Sequence, residues 1–382
     1  MTSSPPHRVV LDTSAVAPPR PEVLEATREA WREGWSEPSG LHSEARQAAA
    51  LLSAARQAVA EALGARSAEV HFTATPVTAA HGAVAALAHG RRRVGRRIVV
   101  SAVERAAVLA AAHLAAGDDV TTVPVDQHGR VDAEAMSAAL REPGVALAAL
   151  QHANGEVGTL QPVAEVHAVA RAHGVPLLVD AGASLGHVAV GPSWDVLTAN
   201  PSAWGGPVGV GLLVVRTGVR ALLPGPEDAD PFAPGGVSVP TAFAAAVGLR
   251  AALAAQDASD RRRRAIVDRL RAQVPATVPD VDVVGHPDAR LPHVVTFSFL
   301  YVDGEALLGE LDRAGFAVGS GSACTSLSLE PSHVLAAMGA LTHGNIRIAL
   351  HDGVTDDDVE RFLATLPRAV AAVRERLGVS GL

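Results

Sequence analysis

No lysine occurs anywhere in the 382 residues; all 32 basic side chains are arginine. A guanidinium stays protonated, so any reaction that begins with a side-chain amine attacking a carbonyl is excluded. Aromatic residues amount to only 3%, so the core has to be assembled from alanine, valine and leucine, and an aromatic-lined site is not indicated. The single cysteine, Cys324, leaves no internal disulfide and fits a reducing compartment. A basic excess is also missing. The formal net charge of -8 speaks against nucleic acid as a partner. Arg91 to Arg97 and Arg261 to Arg264 are local exceptions: the first reads as a solvated loop before a strand, the second as a solvated face of a helix around which side chains fan out. Every apolar run is interrupted before the roughly 20 residues of a membrane span. Met1 to Arg8 does not pair a charged start with a long hydrophobic stretch, so a cytoplasmic protein without membrane contact is expected.

What is present is ample material for folding. Hydrophobic residues make up 48% of the chain, and the length corresponds to two or three units of ordinary domain size. Helical spacing with a starting proline predicts a helix over Pro21 to Glu33, and a second over Ser43 to Leu63 that stops at Gly64. Short β-type runs then alternate with helical runs. The strands among them, such as Arg97 to Val100, Val145 to Gln151 and Pro176 to Val179, are continuous in branched apolar residues, which predicts a largely parallel sheet covered on both faces. From Thr241 the pattern changes to two long helices, Thr241 to Ala255 and Arg261 to Val274, followed by mixed strands and helices. The expected fold class is therefore α/β, with a large domain over 15–240 and a small α+β domain formed by 1–14 and 241–382.

Several motifs occur in order along nearly the whole chain: Leu11-Asp12-Thr13, Pro38 to His42, Glu104, Ala153-Asn154-Gly155-Glu156-Val157-Gly158-Thr159, Asp180-Ala181, Gly319 to Ser326 and Leu329 to Leu335. Together they resemble the NifS/IscS-type cysteine desulfurases. That resemblance implies a class V aminotransferase architecture, the fold type I of pyridoxal phosphate (PLP) transferases, and a homodimer. In such enzymes a lysine anchors the cofactor, an aspartate supports its ring nitrogen, a histidine stacks on the ring, a helix N-terminus holds the phosphate, and a loop cysteine accepts sulfur as a persulfide.

Position by position, much of this apparatus is replaced. The lysine position falls on Ala203. The phosphate turn reads Ala74-Thr75-Pro76-Val77-Thr78, where Pro76 lacks an N–H and Val77 lacks a hydroxyl. Arg105 stands at the stacking histidine, Gly155 at an asparagine, Ala183 at a glutamine and Gly236 at a partner-subunit threonine. Asp180 and Asn154 remain as vestiges of the cofactor site, Arg347 at the substrate-carboxylate position, and Cys324 in its Gly/Ser/Ala/Thr loop. Arg347 either binds a carboxylate or pairs with an acid to hold the domains together. Asp180, without a pyridinium, is expected to serve structure, with Arg105 as a new partner. His42, His152 and His333 fall within family motifs and are expected either to line the old pocket or, as is more usual for a single histidine, to be hydrogen-bonded surface or core residues; histidine spacing gives no metal site.

The resulting expectation is a protein without bound PLP that acts in sulfur relay or iron–sulfur assembly through Cys324, with a sulfur-acceptor or scaffold protein as partner. Two alternatives stand beside it: a regulatory or structural subunit that pairs with an active paralogue, and a residual desulfurase using non-covalently bound PLP.

Overall fold

The computed structural model describes residues 7–223, 230–321 and 331–379. Its strands are β1 (Val9–Val10), β2 (Val70–Thr73), β3 (Arg97–Ser101), β4 (Val120–Val123), β5 (Val145–Gln151), β6 (Leu177–Asp180), β7 (Val196–Ala199), β8 (Gly211–Val215), β9 (Val281–Val284), β10 (Val294–Phe299), β11 (Phe316–Ala317) and β12 (Asn345–Ala349). Its helices are α1 (Pro21–Glu33), α2 (Ser43–Leu63), α3 (Pro76–Gly90), α4 (Ala106–Ala116), α5 (Ala133–Arg141), α6 (Val163–Ala172), α7 (Val239–Thr277), α8 (Gly304–Arg313), α9 (His333–Ala337) and α10 (Asp356–Arg376).

Local chemistry sets the early helix limits. Pro21 begins α1, while α2 starts under the side chain of His42 and stops at Gly64, which turns left-handed at φ 58°. The large sheet has the order β2-β8-β7-β6-β5-β3-β4. Neighbouring strands from β4 through β7 run parallel, and β8 is antiparallel to both β2 and β7. Alternation along each strand divides the core in two. Ile98, Val100, Leu147 and Leu178 face α3 and α4, whereas Val99, Ala148, Leu177 and Val179 join the core that includes α2, α6 and the first half of α7.

The small domain holds the antiparallel sheet β12-β10-β9. Val295, Phe297 and Ile348 of this sheet pack with Ile266, Val267 and Leu270 of α7 and with Phe362 and Leu366 of α10. The N-terminal β1 joins this unit by pairing parallel to β11.

Three sequence expectations need correction here. The two helices expected over 241–274 are one 39-residue helix, α7. Its middle, Gln256-Asp257-Ala258-Ser259-Asp260, is polar but contains neither glycine nor proline, so nothing interrupts the hydrogen-bond ladder. The expected domain limit at 240/241 also moves, because Ala242, Leu249 and Ala252 belong to the large core and Ile266 to Val274 to the small one. The division falls inside α7. By length and composition α7 is apolar enough to cross a membrane, contrary to the expectation that no segment is; half of that apolar window is buried inside the protein.

Candidate functional site

The C-terminal end of β6 carries Asp180, in the place where parallel α/β sheets open their binding crevices. Asp180 is 4% exposed, and its Oδ2 accepts a hydrogen bond from Arg105 Nε at 2.6 Å. Its Oδ1 accepts from the backbone N–H of Gly182 at 2.7 Å. Arg105, the residue before α4, also donates through Nη2 to the Pro76 carbonyl at 3.1 Å. One guanidinium thus ties the end of β6 to the first turn of α3.

That first turn is closed by its own side chains. Thr75 Oγ1 accepts from the N–H of Thr78 at 3.0 Å, and Thr78 Oγ1 accepts from the N–H of Thr75 at 2.8 Å. Pro76 between them has no N–H to offer. A helix start that offers free N–H groups attracts an anion; here the N–H groups of Thr75 and Thr78 are taken by each other's hydroxyls and Pro76 has none.

Glu104 lies directly below this bridge and is fully buried. Its Oε2 accepts from the N–H of Arg105 at 3.1 Å, and its Oε1 has no hydrogen-bond partner. Burial first, and the nearby Asp180 carboxylate second, raise its pKa to about 8. The carboxyl group is therefore predominantly neutral at pH 7. The motif contained Glu104, but its isolation from solvent had no sequence signal.

The turn after β5 supplies the other retained residues. Asn154 is buried; its Nδ2 donates to the Val103 carbonyl at 3.1 Å, and its Oδ1 accepts from the N–H groups of Glu156 and Val157 at 2.8 and 2.9 Å. It holds the turn's shape. A Cβ at Gly155 would stand 3.2 Å from the Ala183 Cβ, so two positions shortened relative to the resemblance sit against each other. His333 Nε2 lies 2.9 Å from the Glu104 carbonyl. His152, largely buried, is held down to about 4 by loss of hydration. His42, by contrast, caps α2 on an exposed surface.

Arg347 is in β12, where its backbone exchanges hydrogen bonds with Gly319 and its Nη2 donates to Asp12 Oδ1 at 2.9 Å. It therefore joins the N-terminal segment to the strand leading toward Cys324. Cys324 itself lies outside the described residues. At the near end of its loop, a Cβ on Gly321 would collide with Glu156 Oε1. Burial raises the pKa of Glu156.

Ala203 belongs to the turn Pro201–Trp204 and is 1% exposed. Its carbonyl accepts from His187 Nε2 at 3.0 Å, and it lines a cavity with Arg20, His187, Arg263 and Asp352. Arg263 corrects the reading of Arg261 to Arg264 as a solvated face: it is 3% exposed, because one residue in four successive helical positions points into the domain junction. Among the described residues no group of His, Cys, Asp and Glu is arranged to hold a metal ion.

The fold and these motifs agree with comparison to known proteins. The family model described as Aminotransferase class-V matches residues 9–362, and the chain belongs to that family. A cysteine desulfurase of Cereibacter sphaeroides is 39% identical over 96% of this chain and 97% of its own length. The cysteine desulfurase IscS of Dictyoglomus turgidum is 33% identical, covering 96% of both chains. A solved NifS-like protein superposes with a TM-score of 0.87 at 25% identity, over 94% of this chain and 98% of its own. The architecture is that of fold type I PLP enzymes, and the protein is cysteine desulfurase-like.

Proposed function

We propose that this protein works without PLP and takes part in sulfur relay or iron–sulfur assembly through Cys324 and contact with a partner protein. The observation that carries the reading is the 2.6 Å pair between Arg105 and Asp180. The carboxylate that the resemblance assigns to a pyridinium already has an internal cation. The remaining residues do not fit PLP either. Ala203 has no amine, Thr75 and Thr78 close the helix turn that would take the phosphate, and Arg105 puts a cation where a ring would stack.

A relay needs only a thiol. The Cys324 thiolate attacks the outer sulfur of a donor protein's persulfide; a new S–S bond forms, the donor's S–S bond breaks, and the donor leaves as a thiolate. The transfer is redox-neutral and needs no added oxidant. A subsequent acceptor thiolate repeats the step and releases Cys324. A homodimer and a cytoplasmic setting accompany this proposal, and Arg347 is assigned to the anionic end of whatever is presented to the loop.

Incubation with a persulfide-loaded cysteine desulfurase, followed by persulfide labelling and mass spectrometry, tests the relay. Label on the wild type and none on Cys324→Ser is expected. Equal label on both, or none on the wild type together with no iron–sulfur transfer, contradicts it.

A further inference from the structure

The cavity at the junction of the two domains has a chemistry that the sulfur-relay reading does not use. It encloses about 190 Å³, and its wall comes from the segment before α1, the turn at Ala203, α7 and the segment after β12. The charged residues in this wall are Arg20, Arg263 and Asp352. Asp352 is shared: its Oδ1 accepts from Arg263 Nη2 at 2.6 Å and its Oδ2 from Arg20 Nη2 at 3.1 Å. The wall itself thus holds two cations and one anion, an excess of one positive charge; Asp260, one helical turn before Arg263 and outside the wall, is the nearby acid, its pKa raised by burial to about 6.

The histidine between them does not cancel that excess. His187 Nε2–H donates to the Ala203 carbonyl at 3.0 Å, which leaves Nδ1 to accept from Arg263 Nη1 at 3.0 Å. This neutral tautomer suits its place, since burial and then Arg263 depress its pKa to about 3. On its other side His187 stacks on buried His293, with ring centroids 3.9 Å apart. Arg263 is thus held by Asp352 and His187, yet its Nε–H is buried with no acceptor. A buried donor without a partner is costly, and on a guanidinium the partner that satisfies both donor and charge is an oxyanion. The rest of the wall, including Pro18, Pro19, Trp204 and Leu350, is carbon-rich.

We propose that this cavity is a binding site for a small aliphatic monocarboxylate, with its carboxylate toward Arg263 and Arg20 and its hydrocarbon part against the prolines and Trp204. Because the wall is drawn from both domains, an occupant stabilises their relative position. The site is separate from the Arg105–Asp180 pair and does not depend on Cys324.

The test uses the full chain and sodium butyrate at constant ionic strength, with butyramide and butylammonium as neutral and cationic isosteres, read by thermal shift and calorimetry. Saturable binding and a raised melting temperature with butyrate alone are expected. Arg20→Gln removes the excess charge and is expected to weaken butyrate by about tenfold, while Asp352→Asn increases the charge and strengthens it by a similar factor. Circular dichroism establishes that both variants are folded, and Cys324→Ser binds as the wild type does. Butyramide binding as well as butyrate overturns the proposal, as does Arg20→Gln without effect, Asp352→Asn weakening the ligand, or the absence of saturable butyrate binding.

Discussion

Arg105 does the work that distinguishes this site. Asp180 is nearly fully buried, and its partner is a single guanidinium that is about one-third exposed. Removing the cation strands a carboxylate in the interior, so Arg105→Ala is expected to destabilise the protein by about 3 kcal/mol. Arg105→Ala combined with Asp180→Asn should cost clearly less than the sum of the single changes, measured by urea denaturation in a double-mutant cycle. Additive losses would show that the pair is not coupled. Glu104 makes a second prediction, based on pH. Its pKa is raised from 4.5 when unfolded to about 8 when folded, so between these values the folded state holds the extra proton. Stability from this group is full below about pH 4.5 and is lost as pH rises through about 8. Glu104→Gln should flatten the decline in stability over that window; an unchanged slope would contradict the assignment. The sequence made Ala203, Pro76 and Arg105 visible because they replace motif residues. It could not show the fate of Glu104, whose identity is unremarkable and whose burial depends on distant strands.

At the scale of elements, α1 and α2 were legible because each carries its own boundary chemistry, Pro21 at a start and Gly64 at a stop. The helix α7 was not, because a polar stretch at its middle resembled a linker while lacking any residue that ends a helix. That element now has a direct consequence. Ala258 is exposed, so its replacement by proline removes no core packing but breaks the helix between the two cores. Ala258→Pro is expected to cost roughly 3 kcal/mol in chemical denaturation; an effect within a few tenths of a kcal/mol would mean that α7 tolerates a break there. The same continuity explains Arg263. Four arginines in a row look like solvent-facing charge, but a helix spanning two domains turns one of them inward, where only tertiary structure reveals the Asp352 and His187 that receive it.

For the whole molecule, the α/β architecture was readable from alternating apolar strands and helices, and the class V aminotransferase assignment extends over residues 9–362. On the proposed reading, fold and chemistry separate at this point. The scaffold keeps the strand ends, the Asn154 turn and the Arg347 strand, while Asp180 and Asn154, the vestiges of the cofactor site, bond to Arg105 and to the Val103 carbonyl. The central claim is that the protein does not use PLP, and the visible absorption spectrum tests it most directly. After incubation with excess pyridoxal phosphate and removal of unbound reagent, the spectrum is expected to show no retained cofactor band. A stoichiometric cofactor band that persists and responds to added cysteine would contradict the account.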